Sequence, residues 1–129
     1  MIVIADTGPL HYLVLIGHAN VLAPLYSRVL VPVRVVDEML QPATPGAVRS
    51  WIFQPPAWLE VRPDPPTDAT LRFLDHGESA AISLALSLHA ERILIDDWDG
   101  RADAVRRNLR VTGTLGVLVL ASSTWTARL

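Results

Sequence analysis

The chain contains no cysteine and no lysine. Without cysteine there is no disulfide framework, no thiol nucleophile and no thiolate zinc site, and a reducing compartment is compatible. Without lysine, Schiff-base chemistry and phosphate binding by a lysine ammonium are excluded; all eleven basic residues are arginines, which suit bidentate phosphate contacts. Charge is sparse, at 19% of residues, and a formal net charge of −2 leaves no global basic footprint for nucleic acid. No apolar run approaches the roughly 20 residues that span a bilayer, and the N-terminus has neither the basic region nor the cleavage site of a signal peptide. These absences lead us to expect a soluble, cytoplasmic protein with no membrane partner. What is abundant is hydrophobic residues, half of the 129, which is enough for one domain with a largely aliphatic core.

Short apolar runs alternate with helical patterns along the chain. Residues 2–5 read as a strand, and Pro9 opens a helix carrying Leu10, Leu13, Val14 and Ile16. A second helix is expected over residues 20–26 with Asn20 as its cap, then a strand at Val29-Leu30-Val31, and a helix that starts at Pro32. The proline-rich stretch 41–66 reads as an excursion containing a helix over 46–53 and a strand over 58–62. Further on we expect a short helix from Thr67 or Asp68, a strongly apolar helix over 78–90, a strand at 93–95, a polar helix over 101–108, a strand at 109–112 and a last helix from Leu115 to about Leu120. Such alternation predicts an α/β domain of three layers with a mostly parallel central sheet flanked by helices.

Two of the strands end in aspartate. The first is Ile2-Val3-Ile4-Ala5-Asp6-Thr7-Gly8-Pro9, and the second is Ile93-Leu94-Ile95-Asp96-Asp97-Trp98-Asp99-Gly100-Arg101. Ligands of parallel α/β sheets bind beyond the carboxyl ends of the strands, so acids placed there by two strands can meet in one crevice, and converging carboxylates suggest a metal. Glu38 and Glu78 are two further candidates. Each has a plainer role open to it. Asp6 is well placed to cap a helix, Glu38 to face solvent, Glu78 to balance a helix dipole, and Asp96, Asp97 and Asp99 to form a turn. Asp6-Thr7-Gly8 also spells an aspartic-protease motif, but Pro9 and the helix after it contradict the β-rich fold that motif needs. A phosphorylated receiver domain is disfavoured by the missing lysine. His11, His18, His76 and His89 show no zinc-like spacing. Trp51, Trp58 and Trp125 read as packing residues, while Trp98 stands apart inside the acidic loop.

Taken in order, Asp6-Thr7, Val31-Pro32 followed by Glu38, Gly77-Glu78 before an alanine-rich helix, Asp96-Asp97 with Gly100-Arg101, and Gly113-Thr114-Leu115-Gly116 resemble the PIN-domain family. More narrowly they look like its prokaryotic branch related to VapC-type toxins. The resemblance implies a PIN-like domain over residues 1–129, without the additional C-terminal helix the family usually carries. It implies a metal-dependent endoribonuclease, the toxin of a toxin–antitoxin pair, held inactive by a small antitoxin and assembled as a homodimer. The acidic positions matched are Asp6, Glu38, Glu78 and Asp96 or Asp97, with Asp99 as an outer ligand. Mg²⁺ or Mn²⁺ suits that oxygen-rich set. Thr7 is expected to orient a carboxylate or water, and two roles are open to Arg101, Arg106 and Arg107, guiding the RNA backbone or forming a solvated helix face. The competing expectation is a non-catalytic PIN-fold module that binds RNA or protein.

Overall fold

The structure is a computed structural model that describes residues 1–66 and 68–127. Five parallel strands, β1 (Val3–Ala5), β2 (Val29–Pro32), β3 (Leu59–Arg62), β4 (Arg92–Leu94) and β5 (Val111–Thr112), form one sheet in the order β3-β2-β1-β4-β5. Among the described residues seven α-helices cover it: α1 (Thr7–Leu15), α2 (Leu22–Tyr26), α3 (Val33–Met39), α4 (Gly46–Phe53), α5 (His76–Ser87), α6 (Trp98–Arg106) and α7 (Thr114–Ala127). The result is the three-layer α/β arrangement, and the sheet is parallel throughout.

Successive strand residues point to opposite faces, so the central strands feed two cores. Val3, Ala5, Val29, Val31 and Leu94 pack with Leu10, Leu13, Val35, Met39, Val48 and Val117 from α1, α3, α4 and α7. Ile4, Leu30, Ile93 and Ile95 pack on the other face with Ala81, Ile82 and Ala85 of α5 and Ala104 of α6. Both faces are covered, which is why the strands read as unbroken apolar runs. Each fully buried Leu, Ile or Val contributes roughly 1.5–3 kcal/mol.

Several boundaries differ from the expected ones. Asn20 caps nothing: a single 3₁₀ turn over Ala19–Val21 precedes α2, and Val21 holds the cap position. The short helix expected after residue 68 is one 3₁₀ turn, Ala69–Leu71, capped by Asp68 through Thr70. Helix α6 starts at Trp98, not Arg101, because the Asp97 side chain accepts hydrogen bonds from the backbone N–H groups of Asp99 and Gly100 and so closes the first turn early. Helix α7 runs on to Ala127, beyond the end expected near residue 120. The excursion at 41–66 supplies α4 and the edge strand β3, so it belongs to the sheet. Thr67 as a helix start and the packing role of Trp125 lie outside the residues and side chains described.

Candidate active site

Strand order places β1 beside β2 on one side and β4 on the other, and the chain leaves β1 and β4 toward different layers. At such a switch point the strand ends open into a crevice. Asp6 is the first residue beyond β1, and its backbone N–H donates to the carbonyl of Leu94 at 2.8 Å, which ties it to the end of β4. Although Asp6 holds the cap position of α1, its side chain makes no capping hydrogen bond. The residue is only 5% exposed, and its Oδ1 has no hydrogen-bond partner. Burial pushes its carboxyl up to about 7; the backbone N–H of Thr7 opposes this, while Asp75, Glu38 and Asp97 add to it by repulsion.

Glu78 arrives from the opposite layer, in the first turn of α5, and is also buried. Its carboxyl is pushed up to about 8, by burial first and then by the charges of Asp75, Asp6 and Asp97. Asp75 caps α5, accepting from the Glu78 backbone N–H at 2.8 Å. Asp75 is the residue that sequence reasoning missed. The signal was present, because an aspartate three residues before a glutamate ahead of an apolar run is the capping-box spacing.

Glu38 comes from the last turn of α3, which follows β2. The Thr7 hydroxyl donates to its Oε2 at 2.6 Å. Its carboxylate lies so close to the backbone of α5 that a Cβ built on Gly77 would fall 2.5 Å from both Oε1 and Oε2. Glycine at 77 is what lets this carboxylate reach the crevice beside Glu78.

The two aspartates after β4 divide. Asp97 carries the charge felt by both Asp6 and Glu78, and it caps α6. Asp96 turns to α7: its Oδ1 accepts from the Thr114 backbone N–H at 2.7 Å and its Oδ2 from the Thr114 hydroxyl at 2.6 Å. A Cβ on Gly113 would sit 2.8 Å from Asp96 Oδ1 and 2.5 Å from Arg101 Nη1, so the Gly113-Thr114 pair serves to seat this clasp. Asp99 is exposed, and its carboxylate takes part in none of these interactions. Arg101 donates to the carbonyl of Ile95 at 3.4 Å and has no carboxylate partner among the described residues. Arg107 is committed elsewhere, to Asp103 at 2.7 Å, to Thr70 at 2.8 Å and to Asp68 at 3.8 Å, and Arg106 pairs with Asp103 at 3.6 Å.

The structure therefore brings together Asp6, Glu38, Glu78 and Asp97, with Asp75 added; Asp96, bound to Thr114, lies against the first turn of α1, its Oδ2 3.3 Å from a Cβ built on Gly8, and Asp99 takes part in none of these contacts. Among the described residues no three His, Asp or Glu side chains are drawn into a ready-made cation cage. The donor set still fits a hard divalent cation: every donor is oxygen, Asp6 Oδ1 is buried and unpartnered, and the carboxyls of Asp6 and Glu78 are pushed up by burial and then by neighbouring acids, whose repulsion a cation would offset.

A parallel sheet with acids gathered past the ends of its central strands defines a three-layer α/β protein whose candidate site lies at the strand ends. The chain belongs to the PIN-domain family, since the model of that family described as DUF3368, a PIN domain, matches residues 2–125. The fold is similar to that of a PilT N-terminus domain protein from the hyperthermophilic archaeon Sulfolobus solfataricus P2, with a TM-score of 0.67 and 15% sequence identity over 94% of this chain and 93% of that one. A comparison with curated proteins finds no match.

Proposed function

We propose that this protein is a Mg²⁺- or Mn²⁺-dependent endoribonuclease that hydrolyses RNA phosphodiesters at the Asp6 crevice. The observation that carries this reading is Asp6 itself, a buried carboxylate with an oxygen left without a partner, surrounded by further acids. A structural aspartate in that place would be spent on capping α1, and this one is not. Asp6, Glu78 and Asp97 would hold the cation, with Glu38 oriented by Thr7. When bound, the cation neutralises the carboxylates, polarises the phosphoryl group and lowers the pKa of water. Arg101, with no carboxylate partner among the described residues, is available to a phosphate oxygen. In the reaction a water oxygen bonds to phosphorus as the bond to the 3′ oxygen breaks, leaving a 5′-phosphate and a 3′-hydroxyl that takes up a proton.

The same reading makes the protein the VapC-like toxin of a toxin–antitoxin pair, blocked by a small antitoxin and assembled as a cytoplasmic homodimer. What supports association is α7, where Leu115 and Val119, one turn apart, are 76% and 58% exposed. No helix among the described residues is long and apolar enough to cross a membrane.

The decisive assay uses the purified protein with single-stranded RNA. Cleavage in Mn²⁺ or Mg²⁺, its loss in EDTA, and a drop of at least a hundredfold in Asp6→Asn are expected, in line with the several kcal/mol that metal-assisted catalysis supplies. Tight binding without cleavage in any divalent ion would return the protein to the binding-module class. Hydrolysis confined to DNA or phosphate monoesters would keep the metal site and overturn the substrate.

A further inference from the structure

Trp98 is 81% exposed, the most exposed large hydrophobic residue of the described chain. The contrast with Trp51 and Trp58 is sharp: their rings pack against each other with centroids 5.9 Å apart, beside the core. Trp98 is the first residue of α6 and follows directly on Asp97, the acid that caps the helix. Arg101 lies three residues on, on the same side of the helix. The two residues line one concavity of about 460 Å³, whose floor is Ala102, Val105 and Val111. Arg101 and Val111 also line a neighbouring concavity of about 620 Å³ together with Asp96 and Gly113, so the two concavities share a wall, and the second reaches Asp96 just past β4.

This combination has a specific chemistry. An exposed indole offers a flat π face, a guanidinium with no carboxylate partner among the described residues offers donors to a phosphate, and an apolar lining excludes neither. Alternation of one aromatic face with one cation at the spacing of a helical turn fits a nucleotide, whose base and phosphate differ in the same way. Resting on the ribonuclease reading of the crevice, we propose that Trp98 stacks an unpaired base of single-stranded RNA while Arg101 contacts the adjoining phosphate, which sets the strand across the carboxylates. The base beside the cleaved bond must then be unstacked from its neighbours, so duplex RNA is a poor ligand.

The test separates binding from catalysis. Affinity is read by fluorescence anisotropy for a labelled oligoadenylate, with Asp6→Asn as the parent protein and EDTA present, so that nothing is cut. Adding Trp98→Ala should weaken binding about tenfold to a hundredfold, the loss typical of one stacked base. Trp98→Phe should restore most of it, and a strand of the same length that is abasic throughout should bind the parent and the Trp98→Ala protein alike. Phe53→Ala, which removes another exposed ring on the distant α4, should change nothing. Equal affinity of the parent and Trp98→Ala would overturn the proposal, as would an equal loss on the abasic strand. So would a Trp98→Ala protein that keeps its RNA affinity but loses self-association in sedimentation, because Trp98 would then belong to a protein interface. If RNA is bound through Trp98 but never hydrolysed, the catalytic reading fails and this one stands.

Discussion

Asp6 and Glu78 are the residues on which chemistry and stability meet. Both carboxyls sit well above their ordinary values, to about 7 and about 8, so the folded chain keeps protons that the unfolded chain has released. Their contribution to stability is therefore fully present below about pH 4 and is lost as pH rises through 7 and 8. In EDTA the Tm should fall by several degrees between pH 5 and pH 8.5, on the scale of a few degrees per kcal/mol for a chain of this length. Mn²⁺ should recover most of that loss at the higher pH, because it binds the ionised forms. Asp6→Asn should flatten the profile and abolish most of the recovery, as followed by thermal unfolding at a series of pH values. A Tm independent of pH in the wild type would show that the two carboxyls are ordinary. Residue identity at the site was largely legible in the sequence, since strand-ending aspartates are visible as such. Which of Asp96 and Asp97 is tied to α7 was not, because adjacent acids look alike until Thr114 claims one of them from 18 residues away.

Elements decide which side chains can meet. Helix α5 presents Glu78 at its first turn only because Gly77 leaves room for the Glu38 carboxylate against its backbone. Gly77→Ala should therefore displace Glu38 and leave the helix in place, since alanine favours helix and the obstructing atoms are the far end of a flexible side chain. RNA cleavage should fall tenfold or more while the circular dichroism and cooperative unfolding of the protein are retained; unchanged cleavage would mean that Glu38 is dispensable. Element existence was well marked in the sequence, and α4 begins and ends where its pattern does, at Gly46 and Phe53. Starts were less well marked. The acids and glycine at 96–100 read as a loop because their turn-forming character is local, whereas the Asp97 cap converts the same residues into helix. That single shift places Trp98 on a helical face with Arg101 and not in a loop.

At the scale of the whole molecule, strand order is what sequence patterns could not supply, and it is what makes the site. The order β3-β2-β1-β4-β5 puts β1 and β4 side by side although 86 residues separate the end of one from the start of the other. The exposed stripe on α7 bears on assembly. Sedimentation velocity should show a concentration-dependent dimer that Leu115→Glu disrupts, and a monomer at every concentration would remove the homodimer. The central claim, that the crevice is a cation site, is tested most directly by anomalous diffraction from crystals of the protein soaked in Mn²⁺ above pH 8. The account predicts an anomalous peak coordinated by Asp6 and Asp97, with Glu78 or Glu38 drawn toward it and Asp96 still bound to Thr114. A peak held by Asp96 and Asp99 instead, or no peak at Asp6 while manganese is seen elsewhere in the crystal, would contradict it.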